Sequence, residues 1–333
     1  MAIWGGDGST EDNTAYADTW EDFIELWTSN CMHIGFPVED QNNNPILLEN
    51  RVIDLRKKGW LTTSYYSGGT KYVHGNNWTI LGGSISSCFL FRISEDDSCR
   101  FMDLTFKNFY IISISSYAGL FKTSYCYTKE FYRCKISATI DTAGGIGSYT
   151  SGLINGGTNT NTDTVSFYQC SLNLKLHGSS YIRGGRNAYL YLENSIMNIT
   201  TSEYGFWPTN NDLYFQDLTM CRFSKITGNL KLGRWSWSTG EFRVMNLLYS
   251  VYSVIDLEIS KAPTVGSLSC RFNNGGYNGV ASFIINKTKA EKNGFTLYST
   301  DTSRIVPTDE VNMTNKAYLE SVYFLVGDEP IDD

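Results

Sequence analysis

The sequence predicts an all-β protein built as a solenoid, a parallel β-helix with a short helical cap at each end. Composition is the first observation: the 333 residues include 30 Gly, 22 Tyr and 18 Phe but only 6 Pro. Aromatic and β-branched residues favour strands, and Gly and Asn favour turns. A repeated three-residue pattern and two segments with helical character near the ends are the second and third observations.

The repeated pattern places an apolar residue first, then a polar or long residue, then Asn, Cys or Asp. The third positions recur every 23 to 36 residues and are Asn108, Cys134, Cys170, Asn194, Asp217 and Asn246. A period of this length is typical of solenoids, in which each repeat stacks on its neighbours. We therefore expect these side chains to form a single file along the axis, at a tight bend where Asn tolerates a left-handed backbone.

Alternating apolar residues follow several copies of the pattern. The clearest are Ile136, Ala138 and Ile140 after Cys134, and Leu172, Leu174 and Leu176 after Cys170. Tyr110 and Ile112 take the same offsets after Asn108, and Ile196 follows Asn194 at the first offset. Apolar residues at every second position indicate strands with one buried face, whereas a helical solenoid needs a spacing of about 3.6 residues.

Each end contains a candidate helix that would cover the open strand edges of a solenoid. Near the N-terminus, Trp20, Phe23 and Trp27 lie at helical spacing, and Thr19 is a candidate N-cap. A second short helix is predicted to begin after Pro307.

These segments divide the chain into three parts. The N-terminal cap and entry strands occupy residues 1–60, the β-helix coils residues 61–300, and the C-terminal cap residues 301–333. Unequal repeat spacing is expected within the coils, because loops on the outside of a solenoid lengthen at little entropic cost.

Charge and residue usage argue against several classes of protein. A net charge of −7 disfavours binding to nucleic acid, whose phosphates need a basic face. The sequence has no apolar stretch long enough for a membrane-spanning helix, and no secretion signal is predicted. The eight cysteines lack any Cys-x-x-Cys motif, which favours buried free thiols over zinc or redox chemistry. With only three histidines as well, we predict no metal site and no cofactor.

The ends of the chain resemble a known family. Residues 6–13 (Gly-Asp-Gly-Ser-Thr-Glu-Asp-Asn) and 19–23 (Thr-Trp-Glu-Asp-Phe) resemble the opening Gly-Ser-Gly-Thr-Glu-Asp-Asp-Pro-Tyr … Thr-Trp-Glu-Asp-Phe of phage and bacterial-surface β-helix proteins. Residues 308–324 are similar to the C-terminal segment of that family, although residues 322–325 (Val-Tyr-Phe-Leu) depart from its Gly-Phe-Pro-Ile. The resemblance implies a right-handed parallel β-helix, and the lack of a predicted secretion signal favours a virion over a cell surface.

The leading functional hypothesis is a phage virion structural protein, part of a tail, collar or capsid appendage, and not an enzyme. Its expected partners are other virion proteins, including copies of itself in a trimer, and a glycan or protein of the host surface. The main alternative is a tailspike-type glycan depolymerase, which needs two carboxylates about 5 to 10 Å apart. Glu193 and Asp217 are the nearly aligned candidates, although Asp217 occupies the bend position of the repeat. A bacterial surface adhesin is the third hypothesis.

Aromatic residues supply the candidate binding surface. Trp235 and Trp237 lie two residues apart, so a strand would point both to the same side. On the outside of the coil they would form a flat platform for a sugar ring or a neighbouring subunit, which Trp207 would extend. Packing beneath a loop or against the C-terminal cap is the alternative for the same residues.

Overall fold

The computed structural model describes residues 4–93, 97–122, 129–142, 151–155, 163–177, 180–184, 188–201, 218–232, 242–251, 253–261, 268–272, 283–285, 295–299 and 305–307. Within these ranges the α-helix is α1 (Trp20–Thr28), and short 3-10 turns span Glu11–Asn13, Leu48–Asn50 and Arg56–Lys58. Everything else that is regular is strand.

Twenty-seven described strands follow one another between Trp4 and Pro307. The N-terminal strands are β1 (Trp4–Gly5), β2 (Ala15–Tyr16), β3 (His33–Gly35), β4 (Val52–Asp54), β5 (Trp60–Leu61) and β6 (Tyr65–Tyr66). The next are β7 (Lys71–Leu81), β8 (Ser84–Ser86), β9 (Phe89–Arg92), β10 (Cys99–Ser113), β11 (Ala118–Lys122), β12 (Lys129–Tyr132), β13 (Lys135–Thr142) and β14 (Ser151–Asn155). They continue with β15 (Asp163–Tyr168), β16 (Ser171–Leu176), β17 (Tyr181–Gly184), β18 (Ala188–Glu193), β19 (Ile196–Thr201), β20 (Leu218–Arg222) and β21 (Lys225–Leu232). The last are β22 (Phe242–Val251), β23 (Ser253–Lys261), β24 (Leu268–Phe272), β25 (Phe283–Ile285), β26 (Phe295–Ser299) and β27 (Ile305–Pro307).

Parallel pairing joins each coil to the next. The first face is the ladder β3, β7, β10, β12, β15, β18, β20, β22, β24 and β26, and the second is β4, β7, β10, β13, β16, β19, β21, β23, β25 and β27. Strands β5 and β8 extend the second face, since β5 pairs with β8 and β8 with β10. The third face is β6, β9, β11, β14 and β17. Stacked parallel ladders joined by turns confirm the predicted fold class, a right-handed parallel β-helix.

Apolar side chains at equivalent positions stack inside the coils. The ring centroids of Phe101 and Phe131 lie 5.3 Å apart, and those of Phe131 and Phe167 lie 4.8 Å apart. Leu192 and Cys221 continue this row in the next two coils, and all of these side chains are buried. The stacking follows from the register, because equivalent residues of neighbouring parallel strands are about 4.8 Å apart.

The strands predicted after Cys134 and Cys170 are confirmed. β13 and β16 pair in register, with Ile136 opposite Leu172, Ala138 opposite Leu174 and Ile140 opposite Leu176. All of these side chains are buried. Cys31, Cys88, Cys134, Cys170 and Cys221 are buried free thiols, as predicted.

Asn108 does not join the predicted file, because β10 contains a β-bulge. β10 keeps register with β13 up to Phe106 and resumes it at Phe109, so Lys107 and Asn108 lie opposite the single residue Ser137. Asn108 has a φ of 57°, and its backbone N–H donates to Ser137 Oγ at 2.8 Å. The prediction for Asn108 is therefore wrong: the residue forms the bulge on the second face.

The bulge also reverses the side chains that follow it. Phe109 and Ile111 are buried, whereas Tyr110 and Ile112 are partly exposed on the outer side. The offsets from Asn108 predict the opposite arrangement. One additional residue turns every later side chain of a strand to the other face.

Asn194 lies one residue away from the predicted file. The pairing of β15 with β18 makes Asn194 equivalent to Gln169, and Ser195 equivalent to Cys170. Ile196 consequently is only partly buried, on the outward side of β19. The prediction for Asn194 is therefore wrong by one position.

Asn246 is also misplaced by the repeat pattern. It lies within β22, where it pairs with Arg271 of β24, and Arg222, which precedes the left-handed residue Phe223, pairs instead with Val251 at the end of that strand. Asp217 lies outside the described residues. Among the described residues of the predicted file, Cys134 and Cys170 are the two that occupy equivalent positions in neighbouring coils.

A left-handed residue marks the corner between the first and second faces. We call these the corner residues, and they are Asp103 (φ 52°), Arg133 (50°), Gln169 (54°), Asn194 (47°) and Phe223 (50°). This conformation costs about 1–2 kcal/mol for a residue with a Cβ atom. The stack compensates through hydrogen bonds between coils: the backbone N–H of Arg133 donates to the Tyr168 carbonyl at 2.9 Å, and that of Gln169 to the Glu193 carbonyl at 2.9 Å.

The residues after the last four corner residues form the file that the structure contains, and we call it the corner file. It consists of Cys134, Cys170, Ser195 and Ser224, all buried, whereas Leu104 takes the equivalent position after Asp103. The backbone N–H of Cys134 donates to Cys170 Sγ at 3.4 Å, that of Cys170 to Ser195 Oγ at 3.0 Å, and that of Ser195 to Ser224 Oγ at 3.1 Å. Each of these three acceptors thus pairs a buried backbone N–H of the preceding coil.

Carbonyl groups at the corner are paired by the same side chains. Ser195 Oγ lies 3.0 Å from the carbonyl oxygen of Phe167 in the preceding coil, and Cys170 Sγ lies 3.2 Å from that of Phe131. At Cys170 and Ser195, one small side chain therefore both accepts an N–H and donates to a carbonyl group of the preceding coil.

Helix α1 covers the N-terminal end of the interior. Thr19 Oγ1 accepts the backbone N–H of Asp22 at 3.2 Å, which confirms Thr19 as the N-cap. Phe23 and Trp27 are fully buried, and Trp27 stacks on Phe101 with ring centroids 5.9 Å apart. The predicted N-terminal cap is confirmed.

At the C-terminal end, coil strands extend past residue 300, where the cap is predicted to begin. Coil strands continue to β27, which pairs with β25. The C-terminal helix predicted after Pro307 lies outside the described residues.

A buried lysine fastens the end of α1 to the first long coil strand. Lys71 is fully buried, and its Nζ donates to the carbonyl oxygens of Ser29 at 2.7 Å and Cys31 at 2.5 Å. Ser29 is the C-cap of α1, where unpaired carbonyl groups favour a cation. Burial lowers the pKa of Lys71 to about 8.

Replacing Ser195 tests the corner file. We expect Ser195→Ala to lower the free energy of unfolding by about 1–3 kcal/mol, because the buried N–H of Cys170 loses its acceptor. Ser195→Cys restores a donor and acceptor of similar size and should recover most of that loss. Urea unfolding followed by circular dichroism measures both, and equal stability of the alanine and cysteine variants would contradict the role of the file.

The depressed pKa of Lys71 predicts a pH dependence. The unfolded chain keeps this proton up to about pH 10.5, whereas the folded chain releases it near pH 8, so raising the pH between these values stabilises the folded state. We expect the stability difference between wild type and Lys71→Met to shift in favour of wild type by up to about 3 kcal/mol from pH 7.5 to pH 10. Urea unfolding at the two pH values measures this shift, and the same difference at both would refute it.

Candidate functional site

The residues predicted as an aromatic platform, Trp207, Trp235 and Trp237, lie outside the described residues. Asp217, one of the two predicted carboxylates, lies there too. Glu193, the other, is at the end of β18 on the outer side of the first face. Its surroundings define the candidate site.

A continuous band of polar and aromatic side chains covers the outer side of the first face. We call it the tyrosine strip, and it consists of Arg100, Glu130, Tyr132, Tyr168, Tyr191, Glu193 and Arg222. Alternation along the strands places these residues outside, because their sequence neighbours face the core. The strip runs over β10, β12, β15, β18 and β20, whose backbones hold it rigid.

The centre of the strip is a stack of tyrosine rings. Tyr132 and Tyr168 lie nearly parallel, with ring centroids 4.6 Å apart and planes 11° apart. Tyr191 meets Tyr168 edge to face at 5.7 Å. The first two rings thus cover one another's faces, which leaves their edges toward solvent. A sugar ring cannot lie flat on these two faces, but the three tyrosines present their side chains on the same outer side of the sheet.

An arginine–glutamate–tyrosine network lies at each end of the stack. At one end, Arg100 donates to Glu130 Oε2 from Nε at 2.9 Å and from Nη2 at 2.6 Å, and its guanidinium lies 5.2 Å from the centre of the Tyr132 ring. At the other end, Tyr191 donates its hydroxyl proton to Glu193 Oε2 at 2.6 Å. Positive charge pairs with negative charge in both networks.

The network at the second end includes a looser ion pair. Arg222 Nη1 lies 3.7 Å from Glu193 Oε1, and the two side chains are 46% and 25% exposed. The Arg100 and Glu130 side chains are 39% and 16% exposed. The arginines therefore remain partly open to a ligand, while the carboxylates lie closer to the sheet.

Burial and nearby carboxylates keep Tyr132 and Tyr191 protonated. Burial, and then the charge of Glu130, raise the pKa of Tyr132 to about 12. Burial and the hydrogen bond to Glu193 also raise the pKa of Tyr191. Both phenols can therefore act as hydrogen-bond donors throughout the neutral pH range. The strip therefore offers three features to a ligand: hydroxyl groups that donate hydrogen bonds, carboxylates that accept them, and a balance of positive and negative charge.

A histidine pair adjoins the N-terminal end of the strip. His33 Nδ1 and His74 Nε2 lie 3.3 Å apart, and His33 stacks on Tyr72 with ring centroids 4.8 Å apart. Burial lowers the pKa of both histidines, which favours their neutral forms. One neutral imidazole can then donate to the other.

The described part of the chain meets the requirements of neither a metal site nor a membrane-spanning helix. No group of three or more side chains there is arranged to bind a metal ion. No helix there has the length and hydrophobicity that a membrane span requires.

Sequence reasoning missed the strip, although part of its signal was present. Tyr132 and Tyr168 are the first residues of two copies of the repeated pattern, and equivalent residues of neighbouring coils stack. A ring at the same place in consecutive repeats therefore predicts a stack. The pairing of Arg100 with Glu130 had no such signal, because it depends on the register between β10 and β12.

Comparison with models of protein families, with curated proteins and with solved structures gave no match. A parallel β-helix is compatible both with a structural role and with glycan-cleaving enzymes. The argument for function therefore depends on the side chains of the site.

Proposed function

We propose that this protein is a phage virion component that binds a polysaccharide of the host surface through the tyrosine strip and does not cleave it. The observation that carries the binding part is the cluster of Tyr132, Tyr168 and Tyr191 rings on one outer surface, together with the two arginine–glutamate networks. Polysaccharides present many hydroxyl groups at regular spacing. Donors and acceptors held on strands match such a ligand without the entropy cost of ordering loops.

The charge of the strip favours a neutral polysaccharide. Each arginine is balanced by a glutamate, and the whole chain carries a net charge of −7. A strongly anionic polymer would meet this overall negative charge. A neutral chain would form hydrogen bonds without that repulsion.

The virion location is supported by the N-terminal resemblance. Residues 6–13 and 19–23 resemble the opening of phage and bacterial-surface β-helix proteins, and the second segment forms the start of α1. A cap of this kind closes the interior and leaves the outer faces for contact with other virion proteins or with copies of the same chain.

The glycan depolymerase remains the alternative, because the strip contains two carboxylates. Glu130 is engaged by Arg100, and Glu193 by Tyr191 and Arg222. Hydrolysis requires one carboxyl group that gives up a proton to the leaving oxygen. Glu130 Oε2 is held by two hydrogen bonds from Arg100, and Glu193 Oε2 accepts the Tyr191 hydroxyl, so both carboxylates are oriented toward residues of the strip and not toward a glycosidic oxygen. This observation favours binding over cleavage.

Removing one hydroxyl tests binding by the strip. We expect Tyr168→Phe to weaken binding to purified bacterial capsular or cell-wall polysaccharide about three- to tenfold, because the ring stack stays and one hydrogen-bonding group is lost. Isothermal titration calorimetry measures the change, and Tyr66→Ala on the third face is the matched control.

The same mixtures separate binding from cleavage. Binding alone leaves the number of reducing ends constant and releases no unsaturated sugars. Release of either product by wild type would support the depolymerase instead. If wild type binds and Tyr168→Phe binds equally well, the strip is not the contact surface.

Particle composition tests the virion location. We expect mass spectrometry of gradient-purified phage particles to detect this chain in a fixed ratio to the major capsid protein. If the chain is found only in the soluble lysate, the virion proposal is rejected. If it is found in a bacterial envelope fraction without particles, the virion proposal is rejected and the adhesin is favoured.

A further inference from the structure

Among the described residues, Trp60 is an exposed tryptophan on the second face, away from the tyrosine strip. It lies in the two-residue strand β5 and is 53% exposed. Its neighbour Leu61 is buried, so alternation along the strand turns Trp60 outward. A lone exposed apolar side chain is common on protein surfaces, so the residues around the ring decide whether it forms a site.

The register places a small residue and a tyrosine beside this ring. Trp60 pairs with Ser84 in the next coil, and Ser84 pairs with Tyr110 in the coil after that. Because Ser84 is small, the rings of Trp60 and Tyr110 meet across it, with centroids 6.1 Å apart and planes 58° apart. Tyr110 supports one side of the tryptophan, and the rest of the ring is open.

A carboxylate completes the arrangement. The Tyr110 hydroxyl donates to Asp141 Oδ2 at 3.0 Å, and Asp141 Oδ1 accepts the backbone N–H of Thr142 at 2.7 Å. Both contacts hold the carboxylate in one orientation. Burial and the bond to Asp141 raise the pKa of Tyr110, so its hydroxyl remains a donor.

We propose that Trp60, Tyr110 and Asp141 form a second saccharide-binding site, which takes one sugar ring of a polysaccharide. The apolar C–H face of the sugar would lie on the open part of the Trp60 ring, and a sugar hydroxyl would donate to Asp141. This site supplies the flat aromatic surface that the stacked rings of the strip do not. The inference rests on the proposed function, because it assumes that the ligand is a polysaccharide.

The residues around Trp60 favour a sugar over a protein partner. Ser84 beside Trp60, Ser86 on the same strand and Thr139 beside Tyr110 carry hydroxyl groups on the outer side, and Ile112 is the partly exposed apolar residue among them. A protein interface needs a contiguous apolar core, whereas a sugar site needs one aromatic ring among hydrogen-bonding groups. The surface around Trp60 has the second composition.

The test compares four proteins in titrations with short glucose, galactose and N-acetylglucosamine oligosaccharides and with purified capsular polysaccharide. They are wild type, Trp60→Ala, Trp60→Phe and the control Tyr66→Ala, whose side chain has the same 53% exposure on another face. Calorimetry gives affinity, and the change in tryptophan emission on binding reports on Trp60 itself. Circular dichroism verifies that each variant is folded.

We expect Trp60→Ala to bind about tenfold more weakly than wild type, and Trp60→Phe to retain part of the affinity while losing the emission change. Tyr66→Ala should bind as wild type does. If Trp60→Ala fails to fold, the emission change in wild type and its loss in Trp60→Phe decide the matter.

The outcomes separate this inference from the function on which it rests. If wild type binds none of the saccharides, the proposed function fails and the second site with it. If wild type binds, Tyr168→Phe weakens binding and both Trp60 variants match wild type, the second site alone is rejected. Equal losses in Trp60→Ala and Tyr66→Ala would also reject it, because the effect would not be specific to this ring.

Discussion

The hydrogen bonds of the corner file join each coil to the next at the point where the strand ladder is interrupted. The corner residues are left-handed, and the backbone N–H of the residue that follows one is paired with a side chain of the next coil. Cys170 and Ser195 each accept such an N–H and also donate to a carbonyl oxygen of the preceding coil. Without these side chains, the buried N–H groups of Cys134 and Cys170 would lose their acceptors.

That register determines what the outer surface can do. Inside the coils, the register brings similar residues at equivalent positions together, as in the stack of phenylalanine rings. Outside, it brings together residues that are far apart in sequence, such as Arg100 with Glu130 and Trp60 with Tyr110. The tyrosine strip offers hydroxyl groups and balanced charges, whereas Trp60 offers an open ring. The two surfaces thus complement each other as contacts for the polysaccharide ligand that we propose.

The strands after Cys134 and Cys170 could be predicted because their alternation is unbroken and their coils lack a bulge. Asn108 and Asn194 were misplaced for a physical reason: Asn is favoured wherever a residue must be left-handed, and this chain uses such residues both at the bulge and at the corner. A repeat pattern based on Asn therefore mixes two kinds of turn. The strip was only partly predictable, since a tyrosine at equivalent repeat positions signals a stack but ion pairs between coils do not.

The sequence alone determined the all-β composition, the coil period, the N-terminal cap helix and the inward side of the most regular strands. These follow from local preferences and from alternation, which act within a few residues. Only the tertiary structure decided which residues meet between coils: the corner file, the arginine–glutamate networks and the site around Trp60. The reason is that a shift of one residue in register, caused by one bulge or one corner, exchanges the buried and exposed sides of a strand and changes every contact along the axis.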